Sequence, residues 1–189
     1  MSAARLALLL VVLSCAGCTS FRNPIVAESG PALDSALVGR WVASSDEGTV
    51  ELDIKAEGRE GVVIARSSKT GEAPEVEELR LITAKLERAT YGSVNARDKP
   101  EDSWTLFAYE IAADRLLIRT DNGRFWRDAV RDKIVSGVIE QKDWTQTVTV
   151  TASEQELRAV VLGYGSVIFN DEPVLELAKG DRSIFRREK

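Results

Sequence analysis

Between Thr49 and Lys55 apolar and polar side chains alternate without a break. Val50, Leu52 and Ile54 fall on one face, and Thr49, Glu51, Asp53 and Lys55 on the other. A repeat of two marks a strand with one face buried and the other in water. The pattern recurs in short runs separated by turn residues. Residues 61–66 follow the polar turn Glu57-Gly58-Arg59-Glu60 and are expected to pair with the first run as a hairpin. Residues 37–42 open the series. It continues through residues 78–86, 90–95, 104–111, 114–120, 145–151, 167–169 and 174–178, with Ile184-Phe185 as a further candidate. The run 104–111 is apolar on both faces, which predicts a central strand. Eight or more short strands joined mostly by short turns predict a mainly β fold with an antiparallel barrel or sandwich. Two short helices interrupt it. Residues 125–135 align Trp126, Ala129, Val130 and Ile134, with Gly137 placed as a C-cap. The capping box Ser153-x-x-Glu156 then precedes Leu157, Val160, Val161 and Tyr164 at helical spacing. Both stripes are read as core packing.

The N-terminus carries a different signal. Arg5 is followed by eight apolar residues, 6–13, too few to span a bilayer, which takes ~20. A charged start, a short apolar run and a small-residue exit together predict a cleavable export signal. The exit, Cys15-Ala16-Gly17-Cys18, resembles the lipobox of bacterial lipoproteins, with Cys15 where Leu is usual. That resemblance implies removal of residues 1–17, acylation of Cys18 and a membrane partner reached through the acyl chains. The alternative is an ordinary secretory signal with the cysteine incidental. Two or three acyl chains hold a protein on a membrane far better than one. Acylation would also account for a single leftover thiol in an exported chain. Thr19, where Asp would favour inner-membrane retention in enterobacterial lipoproteins, implies the outer membrane, facing the periplasm. Residues 18–35, with the breakers Asn23-Pro24 and Gly30-Pro31, are expected to be a lipid-anchored linker reaching at most ~60 Å. Residues 36–189 are then a single β-rich barrel domain.

Most site chemistry is missing. The 189 residues contain no His, and the two cysteines are Cys15 and Cys18. A Ser-His-Asp triad lacks its base, no serine has Lys three residues on, and thiol catalysis and structural zinc lack their groups. No phosphate-binding Gly-rich motif or complete EF-hand loop is present; Asp121-Asn122-Gly123 reads as a turn and Gly163-Tyr164-Gly165-Ser166 as a helix-to-strand turn. A formal charge of −5 disfavours nucleic acid as a partner. Carboxylate pairs remain, because glycoside hydrolysis needs only two acids. The clusters Glu75-Glu77-Glu78 and Asp171-Glu172 nevertheless read as solvated surface. No enzyme, no cofactor and no metal site are expected.

Gly39-Arg40-Trp41 resembles the G-x-W motif that opens the first strand of lipocalins. The resemblance implies a lipocalin-like barrel in which Trp41 closes one end beneath a late-strand Arg, with Arg182, Arg186 and Arg187 all available. Thr120-Asp121 stands where lipocalins have T-D-Y, and Asn122 departs from it. Two functions follow from these readings. One is a non-enzymatic envelope lipoprotein acting through protein contacts in envelope assembly or maintenance. The other is a lipocalin-like binding module for a small apolar ligand. A cavity of at least ~300 Å³ would favour the ligand, and a filled core with an exposed apolar patch the protein partner.

Overall fold

The computed structural model describes residues 19–46, 48–69, 72–99, 103–142 and 144–180. In chain order the strands are β1 (Thr19–Phe21), β2 (Gly39–Ser45), β3 (Gly48–Glu57), β4 (Glu60–Lys69), β5 (Glu75–Leu86), β6 (Ala89–Ala96), β7 (Thr105–Ala112) and β8 (Arg115–Thr120). Helix α1 (Gly123–Arg131), strands β9 (Gly137–Lys142) and β10 (Thr145–Val150), helix α2 (Glu154–Tyr164) and strand β11 (Leu175–Lys179) follow. Eight strands form a closed antiparallel barrel in the order β2-β3-β4-β5-β6-β7-β8-β11. The fold is mainly β with two short α-helices, as the alternation and the capping signals predicted.

Seven barrel strands run as a meander, and each pairs with its sequence neighbour. The eighth, β11, returns only after residues 121–174 and closes the cylinder, with Leu177 opposite Leu116 on β8 and Lys179 opposite Trp41 on β2. Alternation decides what faces inward. Val50, Leu52 and Ile54 on β3, Val63 and Ala65 on β4, and Leu79 and Leu81 on β5 meet in one buried cluster with Trp41, Tyr109, Leu116 and Leu177. On the wet side of β2–β4, Glu51 receives both Arg40 at 2.6 Å and Arg66 at 3.0 Å.

A second core lies outside the barrel. Ile82, Ala84 and Leu86 on β5, Tyr91 on β6 and Leu106 on β7 are buried against Phe21, Trp126, Val148, Val150, Leu157 and Val161. The covering layer is the three-stranded sheet β1-β10-β9 with α1 and α2. This explains why residues 104–111 are apolar on both faces: every strand of a closed barrel has two neighbours, and this wall has a core on each side.

Several expectations are corrected. Residues 19–35 are part of the body and not a linker. Phe21 and Ile25 are 0% exposed, and Phe21 meets Trp126 edge-on at 4.9 Å. Their backbone is also engaged: the Ile25 amide donates to Ser93 Oγ at 2.9 Å, and the Thr83 amide to the Ala32 carbonyl at 2.8 Å. Helix α1 stops at Arg131, because Lys133 takes a left-handed turn at φ 60° and leaves Ile134 exposed. Gly137 therefore begins a strand. It is glycine because a Cβ there would lie 2.8 Å from the Thr149 carbonyl oxygen. Asp121-Asn122-Gly123 is a helix start, with the Asn122 side chain accepting from the Phe125 amide at 3.3 Å. Asn122, the departure from the T-D-Y pattern, serves as this cap. Residues 165–168 form a 3-10 turn instead of a strand. The Ser153 cap holds at 3.2 Å, but Glu156 accepts from the Ser136 amide instead of reaching back. Ile184-Phe185 lies outside the described residues.

Candidate functional site: the barrel interior and its closed end

One end of the barrel is shut by the chain that leads into it. A 3-10 turn at Ser35–Leu37 lies across this end and buries Leu37. Asp34 caps the turn by accepting from the Ala36 amide at 2.9 Å, and its other oxygen accepts from the Tyr109 hydroxyl at 3.0 Å. Burial and the Asp34 carboxylate hold the Tyr109 hydroxyl well above the ordinary phenol range, so it stays a proton donor. Thr83 completes the plug, accepting from the Asp34 amide at 2.8 Å and donating to the Ala32 carbonyl at 3.1 Å. Residues 32–37, at the end of the expected linker, thus supply the floor.

Trp41 stands where the G-x-W resemblance implied. It is 0% exposed, and its indole Nε1 donates to the Leu37 carbonyl at 2.7 Å. Gly39 precedes it at φ 130°, a conformation that favours glycine. The cation over the indole is Lys179 of β11, with Nζ 5.6 Å from the ring centroid. Arg182, Arg186 and Arg187 lie outside the described residues, as does Cys18. Sequence reasoning missed Lys179. The signal was its place near the end of the last barrel strand, where only closure with β2 brings it to Trp41.

Above this floor lies a cavity of about 70 Å³. Leu52, Ile54, Leu79, Val94, Phe107 and Ile118 line it, and no polar atom contributes to its surface. A volume of this size exceeds the ~10–15 Å³ that one water requires, but a water there would find no polar partner. The interior is otherwise filled by its own side chains. Phe107 occupies the space above Gly92, where a Cβ would come within 2.1 Å of the ring.

The acidic clusters divide. Glu75 is exposed, and Glu78 pairs with Arg97 at 2.9 Å. Glu77 differs from the surface reading: it lies on the inward face of β5 with Leu79 and Leu81, opposite Ala65, and is half-buried. Asp171 and Glu172 are exposed. Asp171 borders a shallow groove of about 490 Å³ on the outer wall, with Tyr91, Glu110, Arg119 and Phe169. Arg119 bonds the Asp171 carbonyl at 3.2 Å, which ties one rim of the groove to its floor. Among the described residues Asp121 is the one carboxyl strongly raised. Burial pushes it up to about 6, offset in part by the Thr19 hydroxyl and the backbone. Among the described residues no group of three or more His, Cys, Asp or Glu is placed to hold a metal ion. No helix among them is long and apolar enough to cross a membrane.

No protein-family model matches the chain, and no curated protein or solved structure matches it.

Proposed function

We propose that this chain is a lipid-anchored, non-enzymatic protein of a bacterial envelope, with a lipocalin-like barrel as its body, that acts through contacts with another envelope protein. The observation that carries the reading is the nearly filled barrel. Its cavity of about 70 Å³ is far below the ~300 Å³ at which small-molecule sites begin. An eight-strand barrel is just wide enough for its own side chains to fill, and a filled one leaves its outer surface for contact. Support for that reading comes from Leu162, Tyr164 and Val167, each exposed along the end of α2 and the turn after it, with Val167 60% exposed. The anchor is Cys18, preceded by Ala16-Gly17. Thr19 after it favours the outer membrane, facing the periplasm.

The second reading, a binding module for a small apolar ligand, draws on the wholly apolar lining of the same cavity. Two measurements decide between them. Native mass spectrometry of the protein extracted from envelopes is expected to show the polypeptide with its acyl groups and nothing further. A stoichiometric apolar passenger would overturn the protein-contact reading in favour of the ligand. A photo-crosslinking residue at Val167 in cells is expected to yield one discrete protein adduct that a probe at Val76, on β5, does not give. Equal labelling from both positions would remove the proposed surface.

A further inference from the structure

The anchor and the body are joined without slack, and the direction of β1 says which part of the body lies beside the anchor. Thr19 is already within the three-stranded sheet, its Cα opposite Val148 of β10. Cys18 is one residue earlier, so its Cα is within ~3.8 Å of that of Thr19. Strand β1 runs parallel to β10. Its N-terminal side therefore faces the start of β10, which is the tip of the β9–β10 hairpin. Trp144 stands at that tip and is 100% exposed. It precedes Val148 by four residues, which at ~3.3 Å per residue is ~13 Å along the strand. Thr19 and Trp144 thus lie within ~18 Å of each other, ~13 Å along β10 and ~5 Å between paired strands, at the same end of the same sheet, and Cys18 is bonded to Thr19.

We propose that Trp144 is a second membrane contact: the hairpin tip enters the headgroup layer of the bilayer that the acyl chains of Cys18 occupy. This rests on the lipid-anchor reading above. Indole has an apolar ring and one N–H donor, and such side chains concentrate at the boundary between hydrocarbon and water. The other three tryptophans, Trp41, Trp104 and Trp126, are buried, so the exposed one is an exception within this chain. Gln141, Thr145 and Gln146 are exposed and uncharged, and the two charged residues that precede Trp144 in sequence, Lys142 and Asp143, are of opposite sign, so the tip carries no net charge into the polar headgroup layer. One anchor alone leaves the body free to swivel. Two contacts at one end of a sheet fix its orientation, and by raising the local concentration of Trp144 at the surface the acyl chains make a single side chain sufficient.

The buried state of the other three tryptophans makes the test direct. Full-length acylated protein is placed in phosphatidylethanolamine–phosphatidylglycerol vesicles, with or without bromine on the acyl chains as a contact quencher. The Trp144 emission is read as the difference between wild type and Trp144→Phe. It is expected to shift to the blue on vesicles and to be lost in the brominated ones. Mass spectrometry of the same sample reads acylation at Cys18 separately. An acylated protein whose Trp144 emission keeps its position and intensity overturns this inference alone. A membrane fraction lacking acyl mass on Cys18 overturns the anchor reading and this inference with it.

Discussion

Replacing Trp41 by alanine tests the closed end of the barrel. Trp41 loses all its exposure on folding, and truncating a fully buried aromatic costs about 3–5 kcal/mol. The same change removes the donor 2.7 Å from the Leu37 carbonyl, and an unsatisfied buried acceptor costs a further ~1–3 kcal/mol. Together these approach the ~5–15 kcal/mol of a whole domain, so Trp41→Ala is expected to be largely unfolded or close to it. Trp41→Phe separates the two contributions. It keeps most of the ring area and loses the donor, so its cost should be near the hydrogen-bond figure alone. Lys179→Met leaves the packing and removes the cation over the ring, at about 0.5–1 kcal/mol. Urea unfolding followed by far-UV circular dichroism gives all three midpoints on one scale, and an unchanged slope certifies that the comparison is of stability. The order expected is Lys179→Met, Trp41→Phe, Trp41→Ala, from mildest to most severe. A Trp41→Ala midpoint equal to wild type would refute the placement of this residue as the plug. Equal losses for Phe and Ala would refute the split between packing and hydrogen bond.

Three further outcomes follow from the same structure. The Asp121 carboxyl, raised from 3.8 to about 6 by burial, ionises in the unfolded chain before it does in the folded one. Stability therefore falls by up to about 3 kcal/mol as pH rises through that window, and Asp121→Asn should stabilise the protein above about pH 7 and not below about pH 3. Equal effects of that change at both pH values in thermal melts would contradict it. Gly92→Ala drives a Cβ to within 2.1 Å of Phe107 and should cost about 1–3 kcal/mol, with Phe107→Leu restoring part of the loss; an additive double variant would show that the two do not share the space. A chain shortened to begin at Ala36 loses Phe21, Ile25 and Val26 from the outer core, each worth about 1.5–3 kcal/mol. It should show no cooperative thermal transition by near-UV circular dichroism, and a melt within a few degrees of the full chain would mean that the outer layer is dispensable.

Elements whose signal is local could be read directly from the residues. β3 and β4 were legible because alternation and the turn at Gly58-Arg59 involve only residues next to one another, and the register follows, with Ile54 opposite Val63. Helix α2 was legible for the same reason, since Ser153 caps it by accepting from the Glu156 amide only three residues on. The number and brevity of the strands pointed to a barrel or a sandwich, and the G-x-W resemblance at Gly39-Arg40-Trp41 pointed to the barrel. Trp41 was legible through a three-residue motif, though the cation above it was not. Which distant segments meet was not legible without the assembled fold. β11 closes the barrel across residues 121–174, and that closure brings Lys179 to Trp41. Phe21, Ile25 and Val26 follow no period of two or 3.6, because they cover a wall assembled from β5, β6 and β7 and conform to its shape instead of to a repeat of their own. β9 likewise has no clean alternation and owes its strand to pairing with β10. A strand's periodicity records that it has a buried face, whereas the identity of what buries that face is a property of the partner. In a chain with two cores on either side of one barrel wall, that partner is far away in sequence, and the burial it provides is settled only when the barrel has closed.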